Sequence, residues 1–274
     1  MLFQDPDAFL VEVETIARLG AERLMGFWRT LDPSQINEKA RNDLVSAADL
    51  ASERAILDAI QERFPDHRIL SEEAGWSRTT GSGPTWIVDP LDGTTNFIHG
   101  MPQFAVSIGV AVDEKLEFGV ILDPYKNDVF AAARGRGATW NGKACTISQR
   151  SGLGGTLLAT GFPFKAHRLL DAYLAIFRDV FLRCKAIRRP GSAALDLAYT
   201  ACGIFDGFFE FELSAWDIAA GALLVEEAGG VITDMDGGSD FLSSGNVVCG
   251  ASGVHRELLE VVQNHREEWR EKPG

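Results

Sequence analysis

The most constraining stretch of the chain runs from Trp86 to Phe97 and has the sequence WIVDPLDGTTNF. It begins as a short apolar strand that reaches a carboxylate at Asp89. Because the next residue, Pro90, cannot donate a backbone hydrogen bond, we expect the strand to stop there. A tight turn after it could bring the carboxylates of Asp89 and Asp92 toward one point, together with the carbonyl oxygen of Leu91.

The residues that follow the second carboxylate favour an anion. Gly93, Thr94 and Thr95 offer backbone N–H groups and hydroxyls, and a helix that began there would have free N–H groups at its start. An anion site beside two carboxylates makes chemical sense if divalent metal lies between them. The stretch therefore predicts a site at which metal ions and an anion meet.

Two further acidic segments accompany this stretch. Ser71-Glu72-Glu73 precedes it, and WDIAAG at 216–221, followed by EEAGG at 226–230, lies far downstream. In this order, the three segments resemble the signature of the inositol monophosphatase family, whose members are magnesium-dependent and typically lithium-sensitive phosphatases. The resemblance extends from about residue 10 to residue 255.

The pattern of apolar residues predicts a layered α/β architecture. Helices are expected near 9–28, 46–64, 169–182, 192–202, 217–228 and 254–269, and an antiparallel meander over 104–134. The polar segment 30–42 is expected to be a loop. On the second helix, Leu50, Ile56, Leu57 and Ile60 are expected to face the core.

The resemblance sharpens this class to an α+β fold, an α-β-α-β-α sandwich of the inositol monophosphatase and sugar phosphatase type. We expect a single domain over residues 1–274 with two halves, which meet near the glycine-rich segment 152–155. The half at about 1–151 would carry the metal and phosphate motifs. The half at about 152–274 would carry substrate contacts and the last metal ligand.

Magnesium takes hard oxygen ligands in octahedral geometry, and carboxylates gathered in one pocket repel one another unless cations neutralise them. The resemblance implies a site that holds roughly two or three Mg²⁺ ions. The implied ligands are oxygen atoms of Glu72, Asp89, Leu91, Asp92 and Asp217. Locally, Glu73 is an equal candidate to Glu72, and only the family pattern selects Glu72.

The resemblance also implies the catalytic roles. Asp49, by itself an ordinary helix residue, would pair with Thr94 to orient the attacking water, with Glu72 as the third catalytic residue. Lys39 would lie in a loop that closes over the site and contributes to a further metal position. The expected reaction is hydrolysis of a phosphate monoester by a metal-activated water.

Substrate contacts are implied on both halves of the chain, at Asp92, Gly93, Thr94, Gly191, Ser192, Ala193, Glu210 and Asp217. Glu210 stands seven residues before Asp217, the family spacing for a carboxylate that accepts hydrogen bonds from polyol hydroxyls. Glu212 is an extra acid nearby, or else it occupies an outward strand position. By resemblance, Thr94-Thr95-Asn96 favours the inositol monophosphatase branch of the family, and with it inositol monophosphate as the substrate.

Two alternatives remain open. One is a fructose-1,6-bisphosphatase-like activity, or that of another sugar-phosphate phosphatase, on the same fold. In a bisphosphatase, Arg188, Arg189, Lys165 or Arg168 would hold the second phosphate. The other, of a different class, is a regulatory or binding protein whose phosphatase activity is incidental.

Charge and hydropathy limit the partners. A net charge of −13 argues against a general nucleic-acid surface, which needs clustered Lys and Arg. The segment 1–7 lacks a basic region followed by an apolar run, and the chain has no apolar stretch of about 18 residues, so neither a signal peptide nor a membrane span is expected. We expect a cytoplasmic enzyme whose partner is a small-molecule phosphate monoester, and the resemblance implies a homodimer.

Overall fold

The computed structural model describes residues 5–40, 43–78, 83–164 and 166–270 of the chain. Its α-helices are α1 (Pro6–Phe27), α2 (Ala47–Arg63), α3 (Thr94–Ile98), α4 (Leu170–Phe181), α5 (Ala193–Ala201), α6 (Ala215–Glu227), α7 (Phe241–Ser244), α8 (Ser252–Asn264) and α9 (Arg266–Trp269). Short 3₁₀ turns precede β1 and α4, at Pro33–Gln35 and His167–Leu169.

The strands follow the same chain order. They are β1 (Ile36–Ala40), β2 (Asp43–Ser46), β3 (Arg68–Ser71), β4 (Gly75–Arg78), β5 (Thr85–Asp92), β6 (Ala105–Val112), β7 (Lys115–Asp123), β8 (Asp128–Ala133), β9 (Ala138–Trp140), β10 (Lys143–Cys145), β11 (Leu157–Thr160), β12 (Ala186–Arg188), β13 (Gly207–Glu210), β14 (Val231–Thr233) and β15 (Val247–Gly250).

Two mixed sheets alternate with layers of helix, as expected. The larger sheet has eight strands in the order β10-β9-β8-β7-β6-β5-β3-β4, and the smaller has five in the order β12-β11-β13-β15-β14. Helices α1 and α2 pack on the outer face of the larger sheet, α5 and α6 lie between the sheets, and α8 packs on the smaller sheet with α4 beside it. The order of layers is therefore α-β-α-β-α.

Helix α6 approaches the larger sheet closely because two facing positions lack side chains. A Cβ atom on Gly109 would lie 2.7 Å from the Cβ atom of Ala219, and one on Gly119 would lie 2.8 Å from the carbonyl oxygen of Ala220. A Cβ atom does not approach a non-bonded heavy atom this closely, so a side chain at either glycine would push the helix away. The close packing fixes the start of α6 near the end of β5.

The expectation that the strand stops at Pro90 is wrong, since β5 continues to Asp92. Asp89 pairs with Ser107 and Asp92 with Ala105, so the strand holds one extra residue at a β-bulge. In a bulge the ladder is interrupted, and the N–H group that proline lacks is not needed there. The bulge also turns the two carboxylates toward one side.

Two further expectations are wrong in part. The segment predicted to be a loop forms strand β1, which pairs with β2 as an antiparallel hairpin.

On helix α2, Leu50 is 52% exposed, whereas Ile56, Leu57 and Ile60 are buried. The buried face of α2 also carries polar residues, among them Asp49, and this places Leu50 at the outer edge. A pattern read from apolar residues alone misses such a face.

The last predicted helix is also divided, because α8 ends at Asn264 and α9 begins at Arg266. Among the residues that the structure describes, no helix has both the length and the apolar character needed to cross a bilayer.

Candidate functional site

Three carboxylates converge where the bulge of β5 meets the first turn of α6. One oxygen from each of Asp89, Asp92 and Asp217 lies within 4.8 Å of the others. Asp89 is 1% exposed and Asp92 8% exposed, while Asp217 is half-buried. The structure therefore brings together three of the four predicted acidic ligands in a largely dry place.

Each of these carboxylates is held in one orientation by the surrounding protein. Asp89 Oδ1 accepts a hydrogen bond from the backbone N–H of Leu91 at 2.9 Å. Asp217 Oδ2 accepts one from the N–H of Ser214 at 2.6 Å, which also caps α6. Hydrogen bonds to charged acceptors are among the stronger ones in proteins, so the cluster is preorganised.

Asp92 is anchored across the boundary between the two halves. Its Oδ2 accepts hydrogen bonds from the Ser192 hydroxyl at 2.5 Å and from the Ala194 N–H at 2.9 Å, both at the start of α5. Asn96 adds a second link, since its amide nitrogen lies 2.9 Å from the Pro190 carbonyl oxygen and 3.1 Å from that of Gly191. The motif on β5 and α3 thus holds the segment that leads into α5.

The electrostatics of the cluster favour a cation. Burial raises the pKa of Asp89 well above its usual range, and the negative charges of Glu72, Asp92 and Asp217 add to this effect. Burial also raises the pKa of Asp92 to about 6, although its hydrogen bonds from Ser192 and Ala194 oppose the shift. Hard oxygen donors that repel one another at neutral pH form a donor set that fits Mg²⁺ or a similar ion.

Glu72 and Glu73 both form an ion pair with Lys39, but they differ in their position relative to the acidic cluster. Lys39 Nζ lies 3.3 Å from Glu72 Oε1 and 2.7 Å from Glu73 Oε1. Glu72 lines the cavity above the cluster, whereas Glu73 does not line it and its side chain is only 5% exposed. Lys39 belongs to strand β1, so the expectation of a loop at this lysine is wrong.

The predicted pairing of Asp49 and Thr94 is present. Thr94 Oγ1 lies 2.9 Å from Asp49 Oδ1 and 3.0 Å from the carbonyl oxygen of Leu91. The other carboxylate oxygen, Asp49 Oδ2, accepts hydrogen bonds from the N–H and the hydroxyl of Ser46. Asp49 is fully buried, and burial raises its pKa while these hydrogen bonds lower it.

Two adjoining cavities open beside the acidic cluster. The larger, of about 500 Å³, is lined by the carboxylates, by the start of α3 and by Glu38, Leu44, Phe164, Arg189 and Gly191. The smaller, of about 200 Å³, shares part of this lining and is completed by second-half residues that include Ser192, Ala193, Asp196, Glu210 and Glu212. All the second-half contacts implied by the resemblance therefore lie around one small chamber.

Glu210 and Arg189, which both line the smaller cavity, have different surroundings. Burial raises the pKa of Glu210 to about 8, and the charges of Asp217 and Asp92 add to the shift while Arg189 opposes it. The Arg189 guanidinium carbon lies 5.0 Å from the ring centre of Phe164 and 5.7 Å from that of Phe162. These contacts hold Arg189 at the edge shared by both cavities.

The other basic residues that could have held a second phosphate are placed differently. Arg188 is exposed and does not line either cavity. Arg168 forms an ion pair with Glu212, and Lys165 lies outside the described residues.

Two residues of this region were missed from the sequence. Asn96 was read only as part of the motif, although it joins the two halves. Asp196 was not considered, yet it is the only charged residue in the nine-residue helix α5, and a lone acid on an apolar helix is a signal that could have identified it.

Comparisons with known proteins agree with this architecture. Residues 5–268 match the profile of the inositol monophosphatase family. The Nus factor SuhB of Pseudomonas aeruginosa is 46% identical over 253 residues, which cover 91% of this chain and 93% of that protein.

Two solved structures are also similar. The extragenic suppressor protein SuhB from Bartonella henselae superposes with a TM-score of 0.90 at 38% identity, covering 93% of this chain and 98% of that one. The inositol monophosphatase from Anabaena (Nostoc) gives a TM-score of 0.84 at 36% identity, covering 94% of this chain and 96% of that one.

Proposed function

Because the chain belongs to the inositol monophosphatase family, we propose that it hydrolyses a phosphate monoester with Mg²⁺ as cofactor and that inositol monophosphate is its substrate. The observation that carries the proposal is the convergence of Asp89, Asp92 and Asp217 within 4.8 Å beside two cavities. The similarity to the Anabaena inositol monophosphatase supports the same reading.

The metal ions would be held by the carboxylates of Glu72, Asp89, Asp92 and Asp217 and by the carbonyl oxygen of Leu91. Bound Mg²⁺ lowers the pKa of a coordinated water and stabilises the charge that develops on the leaving oxygen. The protein contributes fixed ligand orientations, because each aspartate of the cluster is already hydrogen-bonded to backbone N–H groups.

Thr94 and Asp49 orient the attacking water in this proposal. The Thr94 hydroxyl has one hydrogen, and donating it to Asp49 Oδ1 at 2.9 Å leaves the oxygen lone pairs to accept a hydrogen from water. The backbone N–H groups of Gly93 and Thr94 would bind phosphate oxygens. Phosphoryl transfer depends mainly on such positioning and on charge neutralisation.

The smaller cavity would receive the alcohol that leaves. The carboxyl group of Glu210 and the backbone from Gly191 to Ala193 would contact its hydroxyl groups. Five acidic residues line this cavity, whereas Arg189 is the only cation among its described lining residues, so a second phosphate on the leaving group would be disfavoured.

The test is phosphate release from inositol 1-phosphate by the purified protein, with Mg²⁺, with excess chelator, and with chelator followed by Mg²⁺. We expect turnover only when Mg²⁺ is available. A chelator already saturated with Mg²⁺ is the control for direct effects of the chelator. Full activity of protein shown by elemental analysis to be metal-free would refute the proposal.

A fructose-1,6-bisphosphatase-like activity is the alternative within the same chemistry. Arg189 favours it, because its guanidinium lies at the edge of both cavities and could bind a distal phosphate. A higher kcat/KM for fructose 1,6-bisphosphate than for inositol 1-phosphate would replace our proposal with this one.

A regulatory role is the second candidate, and the name Nus factor of the Pseudomonas aeruginosa relative favours it. It is compatible with an active site. The test is complementation of a strain that lacks the gene, using the wild type and the Asp92→Asn variant. Rescue by a variant without phosphatase activity would show that the biological role does not require catalysis.

The homodimer and the cytoplasmic location stay predictions.

A further inference from the structure

Asp196 is a buried carboxylate with no assigned task. It lies in the first turn of α5 and is 1% exposed. Among the residues that the structure describes, its Oδ1 has no hydrogen-bond partner. Leaving a buried polar atom unpaired costs about 1–3 kcal/mol, and more when the group is charged. Folding alone therefore gives no reason for an acid here.

The same side chain lines the smaller cavity beside Glu210 and Arg189. Burial raises the pKa of Asp196 well above its usual range, and the charge of Glu210 adds to the shift while Arg189 opposes it. Asp196 and Glu210 are two of the five acidic residues that line this space of about 200 Å³, and Arg189 is the only cation among its described lining residues. The wall offers hydrogen-bonding oxygen atoms for hydroxyl groups, and its acidic lining is unfavourable for an anion.

We infer that Asp196 is a specificity-determining residue that accepts a hydrogen bond from a hydroxyl of the substrate's leaving group, beside Glu210. The inference rests on the proposed phosphatase function. A polyhydroxylated alcohol would supply the partner that Asp196 Oδ1 lacks. An alcohol without further hydroxyls would leave that oxygen unpaired in the complex, and a distal phosphate would face an acidic lining.

The test compares two substrates, inositol 1-phosphate and phenyl phosphate, whose leaving group has no additional hydroxyl. Asp196→Ala should lower kcat/KM for inositol 1-phosphate by about tenfold or more, and for phenyl phosphate by less than about twofold. Asp196→Asn retains an acceptor oxygen and should lose less than about fivefold on the first substrate. Thr200→Val is the matched control, because Thr200 is buried in the same helix and does not line the cavity.

Thermal stability separates a functional role from a structural one. Removing an unpaired buried carboxyl group should leave the melting temperature of Asp196→Ala unchanged or raise it. A lower melting temperature or failure to fold would overturn the inference, as would an equal loss of kcat/KM on both substrates. Wild-type activity on inositol 1-phosphate would keep the proposed function whatever the Asp196 variants do. A wild type inactive on both substrates would refute the proposed function and this inference with it.

Discussion

The Asp92→Asn substitution tests the metal site most directly, because asparagine has the shape of aspartate without its charge. Asp92 Oδ2 accepts hydrogen bonds from the Ser192 hydroxyl and the Ala194 N–H. An asparagine must keep its oxygen on these donors, and its NH₂ group then points at the cluster. An NH₂ group is a donor and cannot bind a cation.

The opposite orientation is no better. If the amide oxygen turned to the metal, the NH₂ group would face the Ala194 N–H, and two donors would meet in a buried place at a cost of about 1–3 kcal/mol. Either way, the site loses an anionic ligand that stabilises the transition state. We expect kcat to fall at least about 100-fold, which corresponds to about 2.7 kcal/mol.

The assay is phosphate release from inositol 1-phosphate at saturating Mg²⁺, together with thermal melting in Mg²⁺ and in chelator. In chelator the variant should melt no lower than the wild type, because the substitution relieves carboxylate repulsion. In the wild type, Mg²⁺ at 100 times its dissociation constant should add about 2.7 kcal/mol of stability, and the variant should lose most of this gain.

Ser192→Ala is the graded control. It removes one hydrogen bond to Asp92 but leaves the carboxylate and the Ala194 N–H in place, so a rate loss of about tenfold is expected. Wild-type activity of Asp92→Asn, or an Asp92→Asn protein still stabilised fully by Mg²⁺, would remove Asp92 from the proposed ligand set.

Three further results are expected. From the family resemblance, Li⁺ at roughly tens of millimolar should inhibit phosphate release. The inhibition should depend on the Mg²⁺ concentration and should not be competitive with substrate. An enzyme that Li⁺ does not inhibit would lie outside the lithium-sensitive branch of the family. The wild type should prefer inositol 1-phosphate to fructose 1,6-bisphosphate in kcat/KM, and Glu210→Gln should narrow the gap; an unchanged ratio would remove Glu210 from the specificity site. The folded pKa of Glu210, about 8, exceeds its ordinary 4.5, so its contribution to stability is present below pH 4.5 and is lost as pH rises through 8. In metal-free protein, the melting temperature of Glu210→Gln should therefore rise relative to that of the wild type as the pH increases from about 5 to about 8.5. A difference in melting temperature that does not change with pH would contradict this.

The sequence indicated the parts of the site that follow from local chemistry. Asp89 and Asp92 stand three residues apart, so a local irregularity of the backbone, here a β-bulge, is enough to bring their carboxylates together. The position of Asp217 beside them could be inferred only from the family resemblance, because it depends on how closely α6 packs against Gly109 and Gly119. No local pattern encodes that distance.

The wrong and missed predictions share one physical cause, which is that each depends on tertiary contacts that the local sequence does not encode. Pro90 is unfavourable within a regular strand, and only the pairing of β5 with β6 shows that a bulge accommodates it. The segment from Ile36 to Ala40 is polar because its hairpin lies beside the cavity rather than in the core. Asp196 was overlooked because its significance comes from the cavity it lines, which is formed by residues distant from one another in the sequence.

In the proposed function, the reaction and the choice of substrate are linked through direct hydrogen bonds. Asp92 bonds to Ser192 and Ala194, and Asn96 bonds to the carbonyl oxygens just before them, so residues 190–194 are fixed to the phosphate side of the site at four points. This segment leads into α5 and therefore sets the position of Asp196 in the smaller cavity. A change in the motif that moves the segment must alter the fit of the alcohol as well as the reaction itself. Conversely, a substrate that contacts the start of α5 would contact residues whose position depends on Asp92, a candidate metal ligand.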